Sequence, residues 1–408
     1  MAKLKSTIIY GIILLLCAAA VAGYFISNGQ SNKTKEAGSA AAVSTAGTAG
    51  TEATGNADAE AAGSGVSEAA AGGDTEVSAG GDTQAAGSVE AEAVVASGGN
   101  VVDKEAHVKE VMAKSVAAPD PKPVVGIGRG EDYAEVTEEA VKNAGGLQDI
   151  VKKGDLVIIK PNICTIDASG SSKTTDYRAV QKIVEMVKGL GAARVIIAEG
   201  TIAGNAFSPA YLRLNKYDTI QGAELLNLNA FNEEDCYELK PDKSMTGKAL
   251  FIPKIYMDAD VVINAAKLKT HFQPDAVVSL SLKNSFGVPP GQIYGIGSKD
   301  GLHNLGLKEA IVDINKIRKP DFSIIEGIVG GEGYGPLRNT PVKSDIIFAG
   351  RDPVALDTVA LNFMGFTAEL VPHVMLAGEE KLGISELSSV KVVGADLDSI
   401  KMQFQPAY

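Results

Sequence analysis

The sequence predicts an α/β layered fold with a mainly parallel sheet, preceded by an N-terminal apolar helix and a disordered stalk. Two patterns point there. Short β-branched runs alternate with stretches whose apolar residues recur at helical spacing. Each helical stretch stops at Gly or Pro, and connections of helix length between strands are crossovers, which build parallel sheets.

The chain has 408 residues and a net charge of -12. Ile8 to Ile26 is an uncharged run behind Lys3 and Lys5, just long enough to cross a bilayer as a helix. Residues 1–28 are therefore expected to be a membrane anchor, or a signal sequence cut near Ala20-Val21-Ala22, although Tyr24, Phe25 and Ile26 carry the apolar run past that cut. Either reading exports the body, held at the cell membrane by a single pass or secreted if the leader is cleaved. Lys33 and Lys35 on the far flank blunt the charge asymmetry that sets orientation.

Residues 29–118 form an acidic linker rich in Ala, Gly, Ser, Thr and Glu. Up to about Gly99 it holds almost no large apolar residue and cannot offset the entropy of ordering its backbone. Weak helical spacing through Val108, Val111 and Met112 precedes Pro119, Pro121 and Pro123, and a domain spanning 119–408 follows, its first strand near Val124.

Strands are expected at Val124 to Gly128, Leu156 to Lys160, Val195 to Ala198, Val261 to Asn264, Phe322 to Ile325 and Ile346 to Ala349. Helices are expected at Tyr133 to Ala144, Asp176 to Leu190, Leu305 to Ile317 and Pro353 to Met364. Asn205 to Lys248 is less regular and reads as an insertion or cap over the sheet.

Ligands of open parallel sheets bind beyond the carboxyl ends of the strands. The six expected strands run into Arg129, Lys160-Pro161-Asn162, Glu199-Gly200, Lys267-Leu268-Lys269-Thr270-His271, Glu326 with the run Gly330 to Pro336, and Gly350-Arg351-Asp352. Converging on one edge, these exits would line a cleft holding both cations and carboxylates. Lys267, Lys269 and Lys283 with Asn284, and more distantly Lys160, Asn162 and Arg129, suit a carboxylate or phosphate. His271 and Lys269 are candidates for proton transfer with Glu326 as base, and His303 is a weaker candidate. Glu199, Glu332 and Asp352 can bind a divalent metal, though Asp352 before Pro353 equally reads as a helix N-cap. Cys164 and Cys236 read first as buried, inert thiols.

Other classes are disfavoured. The body lacks the basic excess of a nucleic-acid binder, and three Cys, one of them in the leader, make neither a disulfide framework nor an intrinsic iron–sulfur cluster. Thr246-Gly247-Lys248-Ala249 lacks the features of a phosphate-binding loop, Gly126-Ile127-Gly128-Arg129-Gly130 lacks the third glycine of a dinucleotide fingerprint, and Gly295 to Gly301 follows no clear strand.

The chain resembles the prokaryotic domain of unknown function 362 (DUF362) family from about Val124 to Phe366. The likeness rests on Lys160-Pro161-Asn162, Ile197-Ala198-Glu199-Gly200, Asp260 to Asn264, Lys267 to His271, Ser281 to Gly287, Gly331 to Pro336 and Gly350 to Asp357. The family has no settled activity. Some members resemble iron–sulfur proteins through an added ferredoxin-like module, which this chain lacks. The leading expectation is an anchored, extracytoplasmic protein with a small-anion site and a divalent metal as candidate cofactor. The alternatives are a non-enzymatic ligand-binding or cell-envelope interaction protein, and a redox protein served by a partner's iron–sulfur cluster.

Overall fold

The computed structural model describes residues 103–165, 167–201 and 208–408. The expected leader and residues 29–102 of the expected linker lie outside the described residues. No helix among the described residues is long and apolar enough to cross a membrane.

Helix α1 (Lys104–Ser115) starts where Asp103 accepts from the Glu105 and Ala106 backbone N–H groups. Strand β1 (Val124–Arg129) leads to α2 (Tyr133–Asn143), capped by Asp132. Strand β2 (Leu156–Pro161), α3 (Tyr177–Gly189) and β3 (Arg194–Glu199) follow, with Asp176 capping α3. After α4 (Pro209–Asn215) come β4 (Glu224–Asn227) and a small hairpin, β5 (Cys236–Leu239) and β6 (Leu250–Pro253). Strand β7 (Val261–Lys269) precedes the single-turn α5 (Ser281–Asn284) and α6 (Leu307–Ile317). The chain continues through β8 (Phe322–Tyr334), β9 (Arg338–Gly350), α7 (Pro353–Met364), α8 (Pro372–Glu379) and β10 (Lys391–Val393).

Eight strands form the main sheet in the order β10-β1-β9-β8-β7-β2-β3-β4. All its pairings are parallel except the two made by β9, which runs antiparallel to both β1 and β8. Alternate side chains of the central strands feed opposite cores. Val157, Ile159, Ile263 and Ala265 pack with α2 and α3, while Ile158, Val262, Ala266 and Leu268 pack with α6, α7 and α8, giving three layers. Gly126 and Gly128 belong to this packing. A Cβ on either would stand 2.2 Å from a carbonyl oxygen of α2, so both glycines let helix and strand approach closely.

Four expectations change. The described part of the irregular stretch supplies β4, an edge strand of the main sheet, and the first strand of the hairpin. Two strands run much farther than their β-branched segments: β7 takes in Lys267 and Lys269, and β8 takes in Gly330 to Tyr334, which pairs with β9 as a hairpin. Because β9 is antiparallel, its exit lies at the opposite edge of the sheet. Arg351 and Asp352 are there, Arg351 against Asp149 and Asp352 capping α7 through the Val354 and Ala355 N–H groups. Both strands extend until only Gly335 to Leu337 separate β8 from β9, too few residues for a crossover, and this is the physical reason for the reversal.

Candidate functional site

The carboxyl ends of β2, β3, β7 and β8 bring together five lysines with different partners. Lys160, at the end of β2, is 1% exposed and donates to both oxygens of Glu199 at 2.9 Å. Glu199 also accepts from the Ile163 and Gly200 N–H groups. Lys267 stands opposite Glu326 in the β7–β8 register, both fully buried, and donates to it at 2.5 Å. Glu326 accepts in addition from the Asp176 and Ile328 N–H groups. Burial pushes the Glu326 carboxyl up and Lys267 opposes it. Both carboxylates are thus consumed by internal lysines and backbone donors. That arrangement fits counterions better than the expected catalytic base at Glu326 or metal ligand at Glu199.

The other three lysines have no carboxylate within ion-pair distance among the described residues. Lys269, 1% exposed, donates to Asn162 Oδ1 and to the Lys173 carbonyl, each at 2.6 Å. Burial drives its ammonium down. Lys299 donates to the carbonyls of Gly287 and Pro289 and is pushed down to about 7 by burial. Lys283 keeps some solvent contact, lies 5.4 Å from the Phe286 ring centroid and is pushed down to about 8, again first by burial.

Amides tie this edge to the sheet. Asn284 donates to the Lys160 and Pro161 carbonyls and to Asn264 Oδ1, and accepts from Asn162. Asn264 donates to the carbonyl and hydroxyl of Ser281. Buried Asp357 of α7 accepts from the Ser281 and Leu282 N–H groups, so it holds the first turn of the helix that carries Lys283 and Asn284. Asn284 is therefore an internal brace rather than a free ligand-binding group.

His271 is 5% exposed, stacks on Phe272, and accepts the Gln273 N–H at Nδ1. Burial, then the Lys283 and Lys269 ammoniums, hold it well below its ordinary value, so it is neutral at pH 7 and carries its proton on Nε2. It offers a hydrogen bond rather than an imidazolium proton. His303 packs edge-on to Phe286 and accompanies the Lys299 carbonyl. His373 of α8, fully buried and held down to about 3, also lies within the field of Lys283. Cys164 is buried within the electrostatic reach of Lys160, Lys269 and Lys283. Cys236, pushed up to about 12, is a core thiol elsewhere.

Some expected residues stand apart. Arg129 is exposed at the end of β1, with β9 between it and β8. Glu332 accepts from the Gln405 N–H, Asp352 is at the opposite edge, and neither joins Glu199. No group of three His, Cys, Asp or Glu that could hold a metal occurs among the described residues. Nothing in the sequence marks Lys299 or His373 as a site residue. Lys299 falls in the Gly295 to Gly301 run, which follows no clear strand, and His373 reaches the site through helix packing that no local pattern signals.

This is an α/β protein with a lysine-rich carboxyl edge. A family described as a domain of unknown function (DUF362) matches residues 157–362, and the chain belongs to it. The thylakoid-associated protein sll1697 of Synechocystis sp. is 30% identical over 247 residues, covering 59% of this chain and 72% of that protein. Among solved structures, the lactate racemase apoprotein from Thermoanaerobacterium thermosaccharolyticum matches with a TM-score of 0.33 and 16% identity, over 51% of each chain. A Thermotoga maritima protein matches with a TM-score of 0.35 and 11% identity, over 62% of this chain and 60% of its own. This chain thus spans between half and two thirds of the solved chains it matches.

Proposed function

We propose that the carboxyl edge binds a small anion, a carboxylate or phosphate, between Lys269 and Lys283, with the Nε2–H of His271 as an additional donor. One observation carries this reading: Lys160 and Lys267 each have a buried carboxylate, whereas Lys269 and Lys283, on the same edge, have none among the described residues. A buried ammonium without a counterion is costly, and an anion between two such groups would relieve both. Four carbonyl or amide oxygens hold Lys269 and Lys299 without neutralising them, which leaves positive charge available to a ligand.

The proposal extends to the setting of the domain. The uncharged run Ile8 to Ile26 supports a single-pass anchor, or a cleaved leader, with the domain extracytoplasmic at the end of the acidic linker. The description of the Synechocystis relative as thylakoid-associated agrees with a membrane setting.

Thermal shift of the full chain with phosphate, acetate and pyruvate tests the site. Saturation at about 100 times Kd would stabilise the native state by about 2.7 kcal/mol, several degrees in Tm. Lys269→Ala is expected to abolish the shift. Equal shifts in wild type and variant would place the anion elsewhere and overturn the reading.

A further inference from the structure

The five lysines of the carboxyl edge differ in one respect that anion binding does not require. Lys160, Lys267, Lys269 and Lys299 all donate hydrogen bonds to protein acceptors, whereas Lys283 makes none among the described residues and has only the face of Phe286 beside it. The groups within its electrostatic reach are Cys164 after β2, Lys160 and Lys269 at the ends of β2 and β7, His271 after β7, His303 before α6, and His373 on α8. No carboxylate is among them. The three imidazoles are all held below their ordinary value by burial. His373 makes no hydrogen bond of normal geometry, with only a loose approach to the Asp275 backbone.

We propose that Lys283 is a covalent nucleophile that condenses with the ketone or aldehyde carbonyl of a small 2-oxo carboxylate whose carboxylate is held by Lys269. The inference rests on the anion site proposed above and names its substrate class. An amine must meet three conditions for this chemistry. It must not be tied up in an ion pair, it must have an anchor for the substrate at one carbon's distance from the reacting carbonyl, and it must be deprotonated part of the time. Lys283 lacks an ion pair, and Lys269 and Lys160 are the cations within its electrostatic reach. With its ammonium near 8, about a tenth of Lys283 is free amine at pH 7. Desolvation, and then the neighbouring positive charges of Lys269 and Lys160, produce this, and these are the means by which a lysine is made nucleophilic.

The step balances without an added oxidant or reductant. The Nζ lone pair forms a bond to the carbonyl carbon while the C=O π pair moves to oxygen. One proton passes from nitrogen to that oxygen, and the resulting hydroxyl leaves as water after taking a second proton, giving C=N in place of C=O. Both protons that leave in the water come from the amine nitrogen, and the neutral Nε2–H of His271 hydrogen-bonds the oxygen as it develops charge.

The test incubates the full-length protein with pyruvate or glyoxylate, reduces it with borohydride, and locates the adduct by intact mass and peptide mapping. One reduced adduct per chain is expected, on Lys283 in the wild-type peptide itself, absent without borohydride and absent from Lys283→Arg. Lys269→Ala should lower labelling at limiting pyruvate by tenfold or more. No adduct, or an adduct spread over surface lysines and unchanged in Lys283→Arg, overturns the inference. Thermal shift with lactate, which keeps the carboxylate and lacks the carbonyl, separates the two readings. A Lys269-dependent shift with lactate but no trapped adduct leaves the anion site standing and removes the imine, whereas neither signal removes both.

Discussion

Glu326→Gln is the sharpest test of how this edge is held together. Glu326 and Lys267 are both 0% exposed and meet at 2.5 Å, and the carboxylate also accepts the N–H groups of Asp176 at 3.2 Å and Ile328 at 3.0 Å. An amide keeps one acceptor oxygen and turns the other position into a donor facing donors. At an effective dielectric of about 20, the charge pair alone is worth about 6–7 kcal/mol before desolvation is subtracted. Removal of one partner from a buried pair typically costs about 3–5 kcal/mol, because the other charge is left uncompensated. Against a total stability of about 5–15 kcal/mol, the variant should fold but unfold at much lower urea. The double variant Lys267→Met/Glu326→Leu removes both charges and should recover most of the loss, since a well-packed apolar pair can match a buried ion pair. Urea denaturation of the full chain, followed by circular dichroism, reads both. A loss below about 1 kcal/mol for Glu326→Gln, or a double variant no more stable than the single, would show that the pair is not a structural counterion pair.

Three further outcomes follow from neighbouring residues. Burial pushes Asp357 up to about 8, above its unfolded value near 3.8, so its contribution to stability is fully present below pH 3.8 and is lost as pH rises through 8. Asp357→Asn should therefore gain on wild type as pH is raised from 4 to 8 in urea titrations, and a constant difference would refute this. Lys299 is shifted the other way, to about 7, so its cost is present below pH 7 and is relieved as pH climbs toward 10.5. Wild type should gain stability over that range where Lys299→Met does not, measured by Tm against pH. Gly126→Ala sets a Cβ 2.2 Å from the Ala140 carbonyl oxygen and should cost about 1–3 kcal/mol through displacement of α2, whereas Gly154→Ala, with open space but φ of +99°, tests backbone strain alone.

The alternation of β-branched runs with helical stretches was enough to specify the architecture, because strand and helix periodicities and their Gly and Pro stops are local. The helix expected at Pro353 to Met364 is found with those bounds, and Asp352 is the N-cap that its position before Pro353 allowed. Much of the lysine edge was also legible. Lys160, Asn162, Lys267, Lys269, His271 and Lys283 lie at strand ends or in the segments that follow them, and in a parallel sheet those ends share an edge. What the sequence could not carry was direction and pairing. Only the tertiary structure reverses β9 and sends Asp352 to the far edge, because whether two strands join by a hairpin or a crossover depends on how far each strand extends. Only packing shows that Glu199 and Glu326 neutralise Lys160 and Lys267, that α8 delivers His373, and that Lys283 is left without a partner. Residue types along a chain record which charges exist. Which of them cancel is set by distances of a few ångströms between segments more than 30 residues apart, and those distances exist only in the folded state.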